Sequence, residues 1–248
     1  MKSKLSILTI ILCLLACKKD DNTANTMLKL SLNHLMNGNP LQLQNTIYTS
    51  RSGSRFSIDK FQYYISNIRL KNTQTGQVFI EPNSYHLIER KDNTHIDEIT
   101  IQSVPNGTYD QIEFSIGIDK IRNLSTDQVG DLDPSNNMAW DWKTGYKFVL
   151  LEGSLFSTTG EKRGLVYHIG TDENYRTITF NLNNLPTGLK LSLESNKASS
   201  INLDVEISHL FNSPNQIDIA QNRTVMFGGI SGQVADNYAT MFRIRQIQ

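Results

Sequence analysis

The stretch INLDVEISH, residues 201–209, decides the fold class. Ile201, Leu203, Val205 and Ile207 alternate with Asn202, Asp204, Glu206 and Ser208. Side chains of an extended chain leave it on opposite faces with period two. The pattern therefore describes a strand with one face in a core and the other in water. The same parity recurs along the chain. Leu28, Leu30 and Leu32 share a face in LKLSLNH, and Ile112, Phe114, Ile116 and Ile118 share one in DQIEFSIGID. RTITFNLNNL (176–185) and KFVLLEGSLF (147–156) are two further strands, and FQYYISNIRLKN (61–72) is β-rich, although its 61–70 part also fits a short helix. Turn chemistry separates these runs: NGNP at 37–40, TQTGQ at 73–77, VPNGTY at 104–109, STTGEK at 157–162 and LPTGLK at 185–190. Short strands with such punctuation give an all-β fold, an antiparallel β-sandwich of the Ig-like or jelly-roll-like kind.

Two segments break the alternation. Residues 121–145, IRNLSTDQVGDLDPSNNMAWDWKTG, form a polar, Asp/Asn-rich insertion; a loop of that length inside a compact domain is usually functional. Near the end, GQVADNYATMFRI spaces Val234, Asn237, Tyr238, Met241 and Phe242 as a short C-terminal helix would, followed by a final strand.

The N-terminus bounds location. MKSKLSILTIILCLLAC has two lysines and then an apolar run that is short for a membrane span and suited to a secretory signal. It ends in Leu-Leu-Ala-Cys, which resembles a bacterial lipobox with Cys17 as the lipidated residue. KKDD follows, and resembles the surface-export tag of Bacteroidetes lipoproteins. The expected organisation is a lipoprotein signal peptide over residues 1–16, a lipidated Cys and tether over 17–26, and a single β domain over 27–248. The expected location is the outer membrane at the cell surface, with the periplasmic face as the alternative. Cys13 and Cys17 are the two cysteines, so the folded domain has no thiol for a disulfide, a zinc-thiolate site or a nucleophile. Formal net charge is zero, which gives no electrostatic case for nucleic acid. Neither a GxSxG elbow nor an HExxH motif occurs, so a hydrolase has little support and no enzymatic activity is expected.

Several blocks in order resemble the MbnP-like family: FSIDKFQYYISNIRL (56–70), YHLIE (85–89), VPNGTYDQIEFSIGIDKIRN (104–123), GDLDPSNNMAWDWKTGYKFVLLEG (130–153) and YHIG (167–170). The resemblance covers residues from about 27 to 245. It implies a non-enzymatic protein that holds one copper ion with histidines, for copper acquisition or handling. In some relatives a tryptophan oxidised to kynurenine joins the site, and a di-haem partner of the cytochrome c peroxidase type performs the oxidation.

Copper in either oxidation state accepts imidazole, and thioether suits its reduced form. His34 continues the parity of Leu28, Leu30 and Leu32, so it points inward, where a polar ring needs a partner. His34, His168 and His86 are the candidate ligands. His95, in a polar loop, and His209, at the end of the 201–207 stripe, are weaker ones. Trp140 and Trp142 share strand parity; they are either core aromatics under the loop or neighbours of the metal, with Trp140 the favoured oxidation target and Met138 a candidate thioether. Asp131 and Asp133, with Asp119 upstream, could form a calcium loop, although EF-hand spacing is missing and Asx-turn chemistry explains them equally. Two competing readings remain. One is a carbohydrate-binding or adhesion sandwich using the tryptophan pair; the other is an accessory lipoprotein with a degenerate site.

Overall fold

The computed structural model describes residues 25–90, 97–125, 127–141, 143–184, 190–195 and 197–248. Cys17, His95 and Trp142 lie outside the described residues.

Two sheets pack face to face. In the smaller, five-stranded sheet, Asn25–Met36 lies between Ser199–Glu206 and Asp97–Pro105, with Phe242–Ile247 beyond Ser199–Glu206. The larger sheet has ten strands, and Arg55–Lys71 is its spine. That strand pairs antiparallel with Gly145–Phe156, with Gln111–Ile116 and with Tyr85–Arg90; Lys162–Gly170 then pairs with Gly145–Phe156. The fold is an all-β sandwich, as the alternation implies.

Strict antiparallel pairing does not hold, because both sheets are mixed. Leu28–Leu35 runs parallel to Ser199–Glu206, and Val166–Tyr167 runs parallel to Thr224–Val225. A parallel pair needs a long crossover connection. Here much of the larger sheet lies in the chain between the 25–36 and 199–206 strands and supplies that crossover.

The main core fills the space between the sheets. Leu28, Leu30 and Leu32 from one side meet Phe61, Tyr63, Ile65, Val149, Leu151, Tyr167 and Ile169 from the other. A second, smaller core lies on the opposite face of the large sheet, formed by Tyr64, Phe148, Leu150 and Tyr146 under Ile118, Leu132 and Met138. The polar insertion supplies this cover. Its helical turn Lys120–Asn123, 3-10 turns Gly130–Leu132 and Pro134–Asn136, and short strand Ala139–Asp141 wrap the outer face. Tyr146 fastens it: its hydroxyl donates to Leu132 O at 2.6 Å, and its amide donates to Asn123 Oδ1 at 2.9 Å.

This double cover explains why residues 61–70 fit a helix as well as a strand. Residues 61–66 are buried without interruption, odd positions in the main core and even ones under the insertion or beside it. A strand covered on both faces loses the apolar/polar alternation that identifies it. The C-terminal expectation holds in part: Gly229–Tyr238 is a helix with Val234, Asn237 and Tyr238 buried, but it ends at Tyr238, so Met241 falls after it and Phe242 opens the final strand.

Candidate functional site

The described candidate histidines sit in separate surroundings. His34 is buried at the inner face of the small sheet. Its Nε2 lies 2.9 Å from the Tyr63 hydroxyl. Its Nδ1 faces Asp97 Oδ2 at 3.2 Å, within ion-pair range but too oblique for a well-formed hydrogen bond. Arg90 Nη1 stands 3.9 Å from the same carboxylate oxygen. Burial holds the His34 pKa below its ordinary value, against the opposing pull of Asp97; the Arg90 charge adds to the lowering. Burial also raises the Tyr63 hydroxyl well above its ordinary value, so that group keeps its proton. The consistent assignment is a neutral ring, with Tyr63 O–H donating to Nε2 and Nδ1–H turned toward Asp97. The lone pair a metal would need is already taken by Tyr63.

His168 lies on the other side of the large sheet. Tyr167 and Ile169 point into the main core, so His168 between them points outward, in register with Leu150 of the outer cluster. Its Nε2 is 2.8 Å from Glu152 Oε1. Burial again lowers its pKa, opposed mainly by the Glu152 hydrogen bond, with Lys147 and Lys60 nearby favouring the neutral ring. His34 and His168 are thus separated by a sheet and do not converge; the expectation that they meet at one ion is corrected here.

His86 pairs in register with Ile65 and shares the parity of buried Ile88, so it too faces the inner side. Its Nε2 is 2.8 Å from Glu81 Oε2, an oxygen that also accepts from Ser84 Oγ. Four residues of strand separate His86 from Arg90 beside His34, which is about 13 Å at 3.3 Å per residue. His209 opens the helical turn His209–Asn212 and directs Nδ1 to Thr240 O at 2.8 Å.

Trp140 belongs with His168. Its six-membered ring sits over Gly170, two residues from His168 on the same strand and, by alternation, on the same face. A Cβ at Gly170 would come within 2.6 Å of Trp140 Cζ3 and 2.2 Å of Tyr146 O, so a glycine is required for this approach. On its other side Trp140 meets Phe227, centroid to centroid at 5.2 Å and tilted by 37°. Phe227 is 58% exposed. Met138 is wholly buried in the outer cluster and packs there as an apolar side chain.

The three candidate calcium carboxylates are engaged with local groups. Asp119 caps the 120–123 turn by accepting from Ile121 N, and also accepts from Tyr85 Oη and Asn67 Nδ2. Asp131 Oδ2 accepts from Leu87 N, and Asp133 Oδ1 from Ser135 N. Asx-type turns account for the Asp119–Ile121 and Asp133–Ser135 bonds, whereas the bonds from Leu87 N to Asp131 and from Tyr85 and Asn67 to Asp119 are long-range and fasten the insertion to the sheet. Among the described residues no group of three or more His, Cys, Asp or Glu side chains is placed to hold a metal ion.

Sequence reasoning missed the histidines' acidic partners, Glu152, Glu81 and Asp97, and the Trp140 neighbour Phe227. Glu152 alone carried a signal, being a charge inside the apolar run KFVLLEGSLF.

The fold and this arrangement define a class: a β-sandwich whose polar insertion, carrying the two tryptophans, covers the outer face of the larger sheet. The MbnP family profile matches residues 25–227. The chain belongs to the MbnP family. MbnP from Methylosinus trichosporium has a similar structure, with a TM-score of 0.55 at 15% identity, covering 83% of this chain and 82% of that one. No curated protein matches.

Proposed function

We propose that this chain is a copper-handling, non-catalytic lipoprotein whose metal-binding face is the outer face of the larger sheet at the end of the 162–170 strand. In this reading His168 is the histidine ligand and Trp140 the aromatic neighbour. The observation that carries it is the seating of Trp140 on Gly170, beside His168 on one strand face.

The donors at this place fit copper in kind, because a neutral imidazole is a good ligand for either oxidation state. They do not fit in number, since His168 is the one candidate histidine on this face among the described residues. Glu152 already bonds His168 Nε2, which leaves Nδ1 as the nitrogen with a lone pair to offer; an acceptor on the opposite ring nitrogen is the usual support for a ligating imidazole. Burial, and to a lesser degree Lys147 and Lys60, favour the unprotonated ring, while the two lysine charges act against cation binding. An unmodified indole has no lone pair to offer, so a further donor from the WDW segment would have to come from an oxidised tryptophan; oxidation by a di-haem partner is the family-based route to it. Cys17 anchors the protein in the outer membrane, facing the cell surface.

A copper titration against a calibrated chelator, combined with intact-mass analysis after expression with and without a di-haem oxidase, tests this. The expected result is one copper per chain, with affinity rising when a tryptophan loses one carbon and gains one oxygen. Failure of both forms to compete with the chelator would end the copper reading.

A further inference from the structure

The outer face of the five-stranded sheet, the far side of the sandwich from His168, carries a cleft of about 650 Å³. Arg243, Asp204 and Asn33 stand in one register row across three strands. Asp204 is buried, its side chain 7% exposed. It receives Arg243 Nη2 at 2.7 Å on one oxygen, and on the other Asn33 Nδ2 at 3.0 Å and Arg245 Nε at 3.6 Å. Two guanidiniums thus share one carboxylate. Each has five N–H donors in a planar fork, so most of their donors remain uncommitted. Their side chains are 76% and 52% exposed, and among the described residues neither has a second ion-pair partner.

The other acid in the cleft keeps its charge but commits its oxygens to groups other than the arginines. Glu206 accepts from the amides of Asn37 and Gly38 on separate oxygens, and from the amide and hydroxyl of Ser208. His209, held through Nδ1 by Thr240 O, also borders the cleft, and Leu35 and Pro40 add apolar surface. The result is a pair of arginines fixed from behind by a buried carboxylate, with free forks beside apolar wall. A fork of this shape matches carboxylate and phosphate oxygens in bidentate fashion.

We propose that this cleft is an oxyanion-binding site, which takes the carboxylate or phosphate group of a small, partly apolar molecule on the Arg243–Arg245 pair. The site is independent of the copper reading and occupies a separate surface.

The test is a titration of the mature protein with inorganic phosphate and, separately, with benzoate, followed by arginine Nε–H resonances in NMR, with chloride as the control anion. Saturable shifts of Arg243 and Arg245 with either probe are expected, and the better probe identifies the group. The Arg243→Gln/Arg245→Gln variant should bind at least tenfold more weakly. The Arg243→Lys/Arg245→Lys variant keeps the charge and loses the fork, and should also bind at least tenfold more weakly. Absence of saturation by either probe below about 10 mM overturns the proposal. So does equal binding of chloride, or unchanged affinity in the lysine variant.

Discussion

Replacing His34 by alanine separates a structural histidine from a metal ligand. The ring is sealed in the main core, so its removal leaves the Tyr63 hydroxyl without its partner and Asp97 without the imidazole beside it. An orphaned buried hydroxyl costs about 1–3 kcal/mol. The vacated ring volume adds a cavity cost of about 2 kcal/mol, taking the large-to-small range as guide. A total of about 3–5 kcal/mol is a large share of the 5–15 kcal/mol that typically holds a domain together. For a chain of this size it lowers Tm by roughly 6–20 °C. Tyr63→Phe in the same background removes the orphaned hydroxyl, so the double variant should lose less than the two single losses combined.

The pH dependence has a definite sign. The folded-state pKa of His34 lies below the ordinary imidazole value of about 6.5. As pH falls below that value, the unfolded chain takes up a proton that the folded one refuses, so the wild type loses stability until the folded pKa is reached. His168 shifts in the same direction, but it is present in both proteins and cancels in the comparison. The stability gap between wild type and His34→Ala should therefore narrow from pH 7.5 to 5.5, by at most about 1.4 kcal/mol per pH unit. Urea unfolding at both pH values measures it. A loss under about 1 kcal/mol, combined with a tenfold drop in copper affinity, would refute the reasoning and make His34 a ligand.

Three further outcomes follow from the geometry. Gly170→Ala drives a methyl group against Trp140 and Tyr146 O, and should cost about 1–3 kcal/mol by overpacking and red-shift tryptophan emission. Asp119→Ala removes the cap of the 120–123 turn and should lower stability by about 1–2 kcal/mol to the same extent with and without calcium, as read by thermal unfolding; a calcium-dependent loss would restore the calcium loop. Cys17→Ser should move the protein from the membrane to the soluble fraction on cell fractionation, and retention in the membrane would remove the anchor.

Much of the sandwich was legible because a half-buried strand displays its two faces in alternate residues. Leu28, Leu30 and Leu32, and Ile201, Leu203, Val205 and Ile207, lie in the main core as their spacing implies. His34 was legibly inward for the same reason, but its partners Tyr63 and Asp97 come from other strands, and no local pattern encodes them. His168 was harder. Val166, Tyr167, Ile169 and Gly170 give no clean polar face, so which parity faced the core depended on the neighbouring strands. The parallel pairing of the 25–36 and 199–206 strands was likewise invisible, because alternation fixes the face of a strand and not its neighbour. The insertion was recognisable as an interruption, whereas its buried anchors Leu132 and Met138 are too widely spaced to reveal the surface they cover; Ile118, which shares the parity of Ile112, Phe114 and Ile116, lies past the end of their strand and joins the outer cluster instead of the main core.

The most direct test of the account is pulsed EPR of the copper(II)-loaded protein, reading the modulation from the remote nitrogen of a coordinated imidazole. The account predicts this signal in the wild type and in His34→Ala, and its loss in His168→Ala. A signal that survives in His168→Ala and disappears in His34→Ala would contradict it.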